Sequence, residues 1–370
     1  MADAARKPRV LTGDRPTGRL HLGHLVGSLR ERVALQDEHE CFNIVADLHT
    51  LTTRPAAAQI RELPRNVREM VVDLLSAGID PQRTVIYLQS GVPAVYDLAI
   101  LLQMLIPTTR LQQLESVRDM AQAAHLGSQM SLGLLGYPVL QAADILMARA
   151  ELVPVGGDNL AHVQIARELA ARFNELYGDL FALPEGRASR VRSLPGVETP
   201  ESRAHFEAVR SEAEAEGREG PDEGDIRGHK MSKSIGNAIW LRDDAATVER
   251  KLDGAAGETL RAFVDALIDD AGQREALVQA HAEGQADDVE LRRAAAEAIE
   301  AALAPMRARR AELQEERGLV EEIVVDGTIR AREVAYETLQ RVRELMGLEG
   351  LWAGLVAATE ARAEARKKPY

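Results

Sequence analysis

A chain of 370 residues, 45% of them hydrophobic, has the length and apolar content for two folded domains with a large core, which excludes a disordered interactor. Asp and Glu number 58 against 45 Lys and Arg, a net charge of −13, so the chain does not coat nucleic acid through its overall field, although a local basic surface stays open. The single cysteine, Cys41, excludes an intramolecular disulfide framework and argues against a cysteine-built zinc site. No apolar run resembles a signal peptide or reaches the roughly 20 residues of a membrane span, so the expectation is a cytoplasmic protein with no membrane partner.

Arg9 to Thr12 reads as a short strand, and Gly13-Asp14-Arg15-Pro16-Thr17-Gly18 as a turn that lets backbone approach a ligand closely. His21-Leu22-Gly23-His24 then opens a helix carried on by Leu25, Leu29, Val33 and Leu35. Its two imidazoles stand where unpaired N–H groups and the helix dipole favour an anion. They read either as phosphate ligands or as a satisfied polar pair at a helix cap; a metal pair lacks a nearby carboxylate or third histidine at ligand spacing. Cys41 to Ala46 reads as a buried strand that ends at Asp47-Leu48-His49, where a parallel sheet presents residues to a cleft. The spacing of Val67, Met70, Val71, Leu74 and Leu75 predicts a helix over 60–77, stopped by Gly78 with Pro81 beyond, and Thr84 to Gln89 is again strand-like. Strand, helix and strand in alternation predict a parallel α/β sheet with right-handed crossovers.

From Val95 to Val139 the pattern is helical, with breaks at Pro107, Gly127, Gly133 and Gly136. Asp144 follows among small and apolar residues, and a carboxylate there needs a partner: an internal ion pair, a cap, or a hydrogen bond from a ligand. Leu152 to Val155 reads as the last strand, delivering Gly156-Gly157-Asp158-Asn159 into a helix that includes His162, Ile165, Leu169 and Phe173. Residues 196–228 are rich in Glu and Ala and punctuated by Gly, Pro and Asp, which reads as a flexible acidic excursion; as a surface insertion, its removal between 200 and 225 would leave chemistry elsewhere intact. Lys230-Met231-Ser232-Lys233-Ser234 then sets two ammonium groups and two hydroxyls on one loop, suited to a polyphosphate but, taken alone, a weak signal that favours a solvated basic loop. The remainder is helical and charged. Leu291, Ala295, Ile299, Ala302, Leu303 and Met306 form one apolar face, and Val334, Leu339, Val342, Leu345 and Met346 another. Arg307, Arg309, Arg310, Arg330, Arg332, Arg341 and Arg343 make this end either a solvated basic face or the chain's place for nucleic-acid phosphate.

Taken together, Pro16-Thr17-Gly18, His21-Leu22-Gly23-His24 and the distant Lys230-Met231-Ser232-Lys233-Ser234 resemble the class I aminoacyl-tRNA synthetases. Gly13 to Gly18, Gln89-Ser90-x-Val92-Pro93, Tyr137-Pro138-x-x-x-Ala142-Ala143-Asp144-Ile145 and Val153-Pro154-Val155-Gly156-x-Asp158 are similar to tryptophanyl-tRNA synthetases, nearest to their divergent second bacterial type, and the resemblance runs from about residue 9 to 347. It implies a Rossmann-like parallel-sheet nucleotide-binding domain followed by an α-helical C-terminal domain. The implied divisions are a catalytic domain at 1–195, the acidic insertion at 196–228, the lysine loop and a return to the catalytic domain at 229–245, and a helical tRNA-binding domain at 246–370. It further implies a homodimer that uses ATP and Mg²⁺ to join L-tryptophan to tRNA(Trp) through tryptophanyl-adenylate.

In that resemblance His21 and His24 bond phosphate oxygens, while Lys230 and Lys233 hold the pyrophosphate side with Mg²⁺. Asp144 accepts the indole N–H, Tyr137 and Asn159 stand near the substrate ammonium, and His49 and Gln141 line the indole pocket. Arg15, Pro16, Thr17, Gly23, Gly156, Gly157, Asp158, Val191, Met231, Ser232 and Ser234 complete the ATP contacts. Departures are Asn159 where the family commonly has Gln, a Ser116 to Gln129 segment with Arg118 in place of the usual lysines, a longer excursion at 196–228 and a shorter segment after Leu252. Rival readings are a tyrosine-specific relative, a paralogue serving inhibitor resistance or another acceptor, a binding-only descendant, and a small nucleotidyltransferase sharing the His-x-Gly-His arrangement.

Overall fold

The computed structural model describes residues 6–123, 129–156, 160–188, 194–215, 219–222, 229–255 and 257–367. Five parallel strands form one sheet in the order β3-β2-β1-β4-β5. They are β1 (Arg9–Asp14), β2 (Glu40–Val45), β3 (Thr84–Leu88), β4 (Leu152–Val155) and β5 (Glu185–Ala188). The near-continuous apolar runs of β2, β3 and β4 suit strands covered on both faces. Leu11, Phe42, Ile44, Val85 and Tyr87 enter one core with the helices Ala94–Gln103, Leu132–Met147 and Leu160–Tyr177. Val45 and Ile86 enter the other, against the helices Ala57–Ser76 and Asp288–Glu315.

Gly13 and Asp14 belong to β1 and not to the turn expected there. A side chain at position 13 would put its Cβ 2.0 Å from Ile44 Cγ2, so β1 and β2 come this close only with glycine. Leu152–Val155 is not the last strand, because β5 follows it. The sequence Glu-Gly-Arg-Ala carries no apolar run, since β5 is a largely exposed edge strand aligned to β4 from Leu152–Glu185 to Val155–Ala188.

The helical end is not packed apart from the sheet. Both apolar faces expected from the sequence are used: Leu291, Ala295, Ile299, Leu303 and Met306 are buried in one core, and Leu339 and Val342 in the other. The helix Leu319–Leu345 crosses the β3 edge. Gly327 permits the crossing, for a Cβ there would lie 1.9 Å from the Ile86 carbonyl oxygen, and Thr328 Oγ1 accepts the Leu88 N–H at 3.1 Å. An edge that would otherwise offer unpaired N–H groups is thereby covered.

Within the excursion, Pro200–Ala215 is a helix. Thr199 and Ser202 exchange backbone N–H bonds to each other's hydroxyls at 2.9 and 3.0 Å, which starts it, and Ser202, Phe206 and Ala213 are buried. Phe206 packs edge-on to His229, 5.5 Å between ring centroids, immediately before the lysine loop.

Candidate active site

Chain order reverses between β1 and β4, whose pairing is Val10 opposite Leu152. Farther along, Pro154 has no N–H to offer a ladder, and the C-terminal ends of both strands line a cleft of about 940 Å³. Parallel sheets bind ligands at such a switch point. Arg15, His21, Gly23, His24, His49, Tyr137, Gln141, Asp144, Gly156, Lys230 and Met231 all line it, so residues from opposite ends of the sequence meet there. Gly157, Asp158, Asn159 and Val191 lie outside the described residues.

At the floor stands Asp144, 2% exposed, on the helix Leu132–Met147. Tyr137, Gln141 and Asp144 fall at helical spacing on the face toward the cleft. Asp144 Oδ2 lies 3.1 Å from His49 Nε2 and accepts Gln89 Nε2 at 2.7 Å. Oδ1 is buried with no hydrogen-bond partner among the described residues. Burial pushes the carboxyl above its ordinary range, against the bonds from His49 and Gln89. An acceptor half satisfied by the protein is fitted to a ligand donor such as an N–H. Gln89, at the end of β3, was visible in the sequence as part of a motif but not as the partner of Asp144. Tyr137 Oη bonds His162 Nε2 at 2.9 Å, and Ser116 Oγ bonds the same nitrogen at 2.6 Å; His162 looked like a helix-face residue in the sequence.

At the mouth, the His21 and His24 ring centroids are 3.9 Å apart. A Cβ on Gly23 would stand 3.0 Å from the His21 ring, which explains the glycine between them. His24 Nδ1 accepts the His21 backbone N–H at 3.2 Å, leaving the ring proton on Nε2 for donation. Burial, with the neighbouring His24, Lys233 and Lys230 charges, lowers His21 to about 2. Burial also lowers His24 to about 4, against the pull of Asp14. Both rings are therefore neutral donors at physiological pH. Burial would raise Asp14, but Arg32, whose Nη1 is 2.6 Å away, together with His24 and Lys233 holds it down at about 2.

The lysine loop is clamped at both ends. Met231 N–H donates to the Leu194 carbonyl at 2.8 Å, Gly196 N–H to His229 at 2.8 Å, and the Met231 side chain is buried. Asn237, 2% exposed, accepts the Ser232 N–H at 2.7 Å and donates to the Lys230 carbonyl at 3.2 Å. Ser232 and Ser234 hydroxyls bond each other at 3.0 Å. Lys233, which does not line the cleft, bonds through Nζ to the Gly18 carbonyl at 3.2 Å and Thr17 Oγ1 at 3.5 Å. Pro16 beside them is buried. Burial lowers Lys233 to about 8, against the pull of Asp14 and Asp73.

Several arginines proposed for nucleic acid are engaged within the protein. Arg310 is 8% exposed and bonded to Asp73 and Glu69, so it belongs to the interior and not to a phosphate-binding surface. Arg307 donates to the Asp243 carbonyl at 3.0 Å, Arg332 to the Gly91 carbonyl, Arg341 to Glu344 and Arg343 to Glu349.

Residues 3–197 match the family model described as tRNA synthetases class I (W and Y). The tryptophan–tRNA ligase of Treponema pallidum is 46% identical over 355 residues, spanning 92% of this chain and 97% of that protein. The tryptophan–tRNA ligase of Borreliella burgdorferi is 38% identical over 370 aligned positions, spanning 95% and 97%. Among solved structures, Campylobacter jejuni tryptophanyl-tRNA synthetase, complexed with ADP and tryptophan, superimposes with a TM-score of 0.70 at 28% identity, covering 92% of this chain and 99% of that one.

Proposed function

Because the chain belongs to the tryptophan–tRNA ligases, a family of class I tRNA synthetases, we propose how its residues divide that family's reaction. The reaction is the ATP-dependent activation of tryptophan to tryptophanyl-adenylate and transfer of the aminoacyl group to tRNA. One observation carries the assignment: a single cleft joins the half-satisfied Asp144 at its floor to His21, His24 and Lys230 at its mouth.

Asp144 Oδ1 accepts the indole N–H, with Gln89 and His49 holding the carboxylate and Gln141 beside the ring. Tyr137 is assigned to the ammonium, and Asn159 is assigned there from the resemblance alone. The tryptophan carboxylate attacks the ATP α-phosphorus and pyrophosphate leaves, so no protein nucleophile is needed. His21 and His24, as neutral N–H donors, meet phosphate oxygens without requiring a proton from solvent. Lys230 and Lys233 meet the leaving pyrophosphate as its charge grows. Arg15, Pro16, Thr17, Gly23 and Gly156 provide the nucleotide's walls, with Gly157, Asp158, Val191, Met231, Ser232 and Ser234 assigned beside them. Mg²⁺ enters as part of the MgATP substrate. The divisions at 1–195, 196–228, 229–245 and 246–370, a homodimer, tRNA(Trp) as acceptor, docking on the helical end, and a cytoplasmic setting complete the proposal. Tryptophan-dependent ATP–pyrophosphate exchange followed by charging of tRNA(Trp) tests it; absence of exchange with any aromatic amino acid overturns it.

The histidine and lysine shifts set the pH behaviour. With His24 at about 4 and His21 at about 2, kcat/KM for ATP is expected to show no acid limb near the ordinary imidazole value of roughly 6.5. Lys233 at about 8 gives a basic limb there in kcat/KM, and bound phosphate raises it in kcat. Stability, unlike kcat/KM for ATP, is expected to fall at low pH. Both histidines have folded values below their unfolded ones, so the unfolded chain binds more protons below roughly pH 6.5 and stability falls as pH drops through that window. A pH–rate series with parallel thermal melts checks both statements.

The helix Pro200–Ala215 changes the expectation for deleting 200–225. Because Phe206 packs on His229 and Thr199 Oγ1 donates to the Gly236 carbonyl at 2.9 Å, the helix braces the lysine loop. Its removal is expected to slow adenylate formation about tenfold or more, through displacement of catalytic groups. Single-turnover rates of the deletion variant check this.

A further inference from the structure

Behind the two phosphate-facing segments, and outside the cleft, lies an ionic cluster whose centre, Asp73 with Arg310, is buried and whose outer members, Glu69 and Arg242, are partly exposed. Asp73, 2% exposed on the helix Ala57–Ser76, accepts the Leu20 backbone N–H through Oδ2 at 3.1 Å. Its Oδ1 takes Arg310 Nη1, and Arg310 Nη2 lies 2.6 Å from Glu69 Oε2. Arg242 Nη2 donates to that same Glu69 oxygen at 2.8 Å. Leu20 immediately precedes His21, and Arg242 follows the return from the lysine loop. The two segments are also paired with each other. Leu22 N–H donates to the Ile239 carbonyl at 2.9 Å, Leu241 N–H to the Leu20 carbonyl at 3.2 Å, and His21 lies opposite Trp240.

We propose that Arg310 is a positioning residue for adenylate formation: its guanidinium sets Asp73 and Glu69, Asp73 fixes the backbone that delivers His21, and Glu69 holds Arg242 behind the lysine loop. Glu69 and Asp73 are four apart on one helix, where like charges repel. A planar fork with two donors at fixed separation answers both carboxylates at once, whereas an ammonium presents one point charge. Stability alone does not call for this arrangement, since a buried ion pair is often replaceable by apolar residues without loss. What the ions add here is direction: a carboxylate oxygen aimed at the one N–H before His21. The helix Asp288–Glu315 is thereby joined through polar bonds to both halves of the phosphate grip.

The proposal rests on the reading of His21 as a phosphate ligand, and a double-mutant cycle separates the two. Single-turnover adenylate formation and tryptophan binding are measured for the full chain, for Asp73→Asn, for His21→Gln and for the pair, with thermal melts to select conditions where each is folded. Asp73→Asn is expected to slow adenylate formation about tenfold to a hundredfold while tryptophan affinity stays unchanged, as misplacement of a catalytic group does. In the His21→Gln background, assayed at a pH well below the Lys233 value so that loss of the Asp73 pull on that lysine is silent, the same change is expected to add little, because the group it positions is gone. A full additional loss in that background overturns the positioning role alone. A His21→Gln variant with undiminished activity overturns the reading of His21 and the proposal with it. Arg310→Lys, which keeps the charge and loses the fork, takes the same test should Asp73→Asn not fold, and wild-type rates from folded Arg310→Lys overturn the proposal.

Discussion

Lys233→Ala is expected to slow adenylate formation about a hundred- to a thousandfold while leaving tryptophan affinity unchanged, the loss typical of removing one preorganised donor aimed at developing negative charge. In the free protein Lys233 Nζ rests on the Gly18 carbonyl and Thr17 Oγ1, in the turn assigned above to the nucleotide. These are neutral acceptors, and burial has already lowered the ammonium to about 8. A triphosphate is a stronger partner than either, and one whose charge rises at the leaving oxygens as the bond to the α-phosphate breaks. The interaction therefore strengthens from ground state to transition state, which is the condition for raising kcat and not merely lowering KM. In the proposed assignment tryptophan sits against Asp144, away from the lysine, and gains nothing from it. Pre-steady-state adenylate formation beside equilibrium tryptophan binding separates the two, and an equal loss in both contradicts the assignment.

How far such a site can be read from sequence depends on whether the contact is local. The strands β2 to β4 carry apolar runs dictated by burial on both faces, and their order of appearance after β1 with intervening helices makes a parallel sheet legible. β5 was not, because an exposed edge strand of Glu-Gly-Arg-Ala has no pattern that its pairing with β4 requires. The helix Pro200–Ala215 buries Phe206 and Ala213 in an otherwise acidic and small-residue stretch, so composition pointed to flexibility where two apolar contacts and a Thr199–Ser202 start sufficed. Partners distant in sequence were beyond reach in the same way. Gln89 serves Asp144 from the turn that follows β3, Asn237 ties the lysine loop from beyond it, and Arg310 sits inward at a position whose neighbours Arg309 and Glu312 are exposed. Periodicity had already put Met306 and Leu303 on the buried side of that helix. It could not tell that a guanidinium joins them because two carboxylates wait on the helix Ala57–Ser76.

Asp144→Asn is expected to lower kcat/KM for tryptophan by about a hundred- to ten-thousandfold, since it replaces a charge-assisted acceptor and leaves buried donors opposed. The isosteric amide has one oxygen and one NH₂, and the site has use for no donor. Gln89 Nε2 and His49 Nε2 both face Oδ2, so placing NH₂ there opposes it to the glutamine donor and disturbs the histidine. Placing NH₂ at the Oδ1 position instead opposes it to the indole N–H, which can only donate. Either orientation buries an unmet donor. The loss should fall on tryptophan and spare the KM for ATP, because the histidine and lysine contacts are elsewhere in the cleft. Protonating Asp144 in the unaltered protein has a related effect, by adding a donor where an acceptor is needed. Burial raises its pKa above the ordinary carboxylate value, so the KM for tryptophan should begin to rise at a higher pH than an exposed aspartate would allow as acid is added. Aminoacylation kinetics of Asp144→Asn with tryptophan varied at saturating ATP decide the matter. A variant whose KM for tryptophan and kcat both match the parent's would remove Asp144 from recognition of the indole.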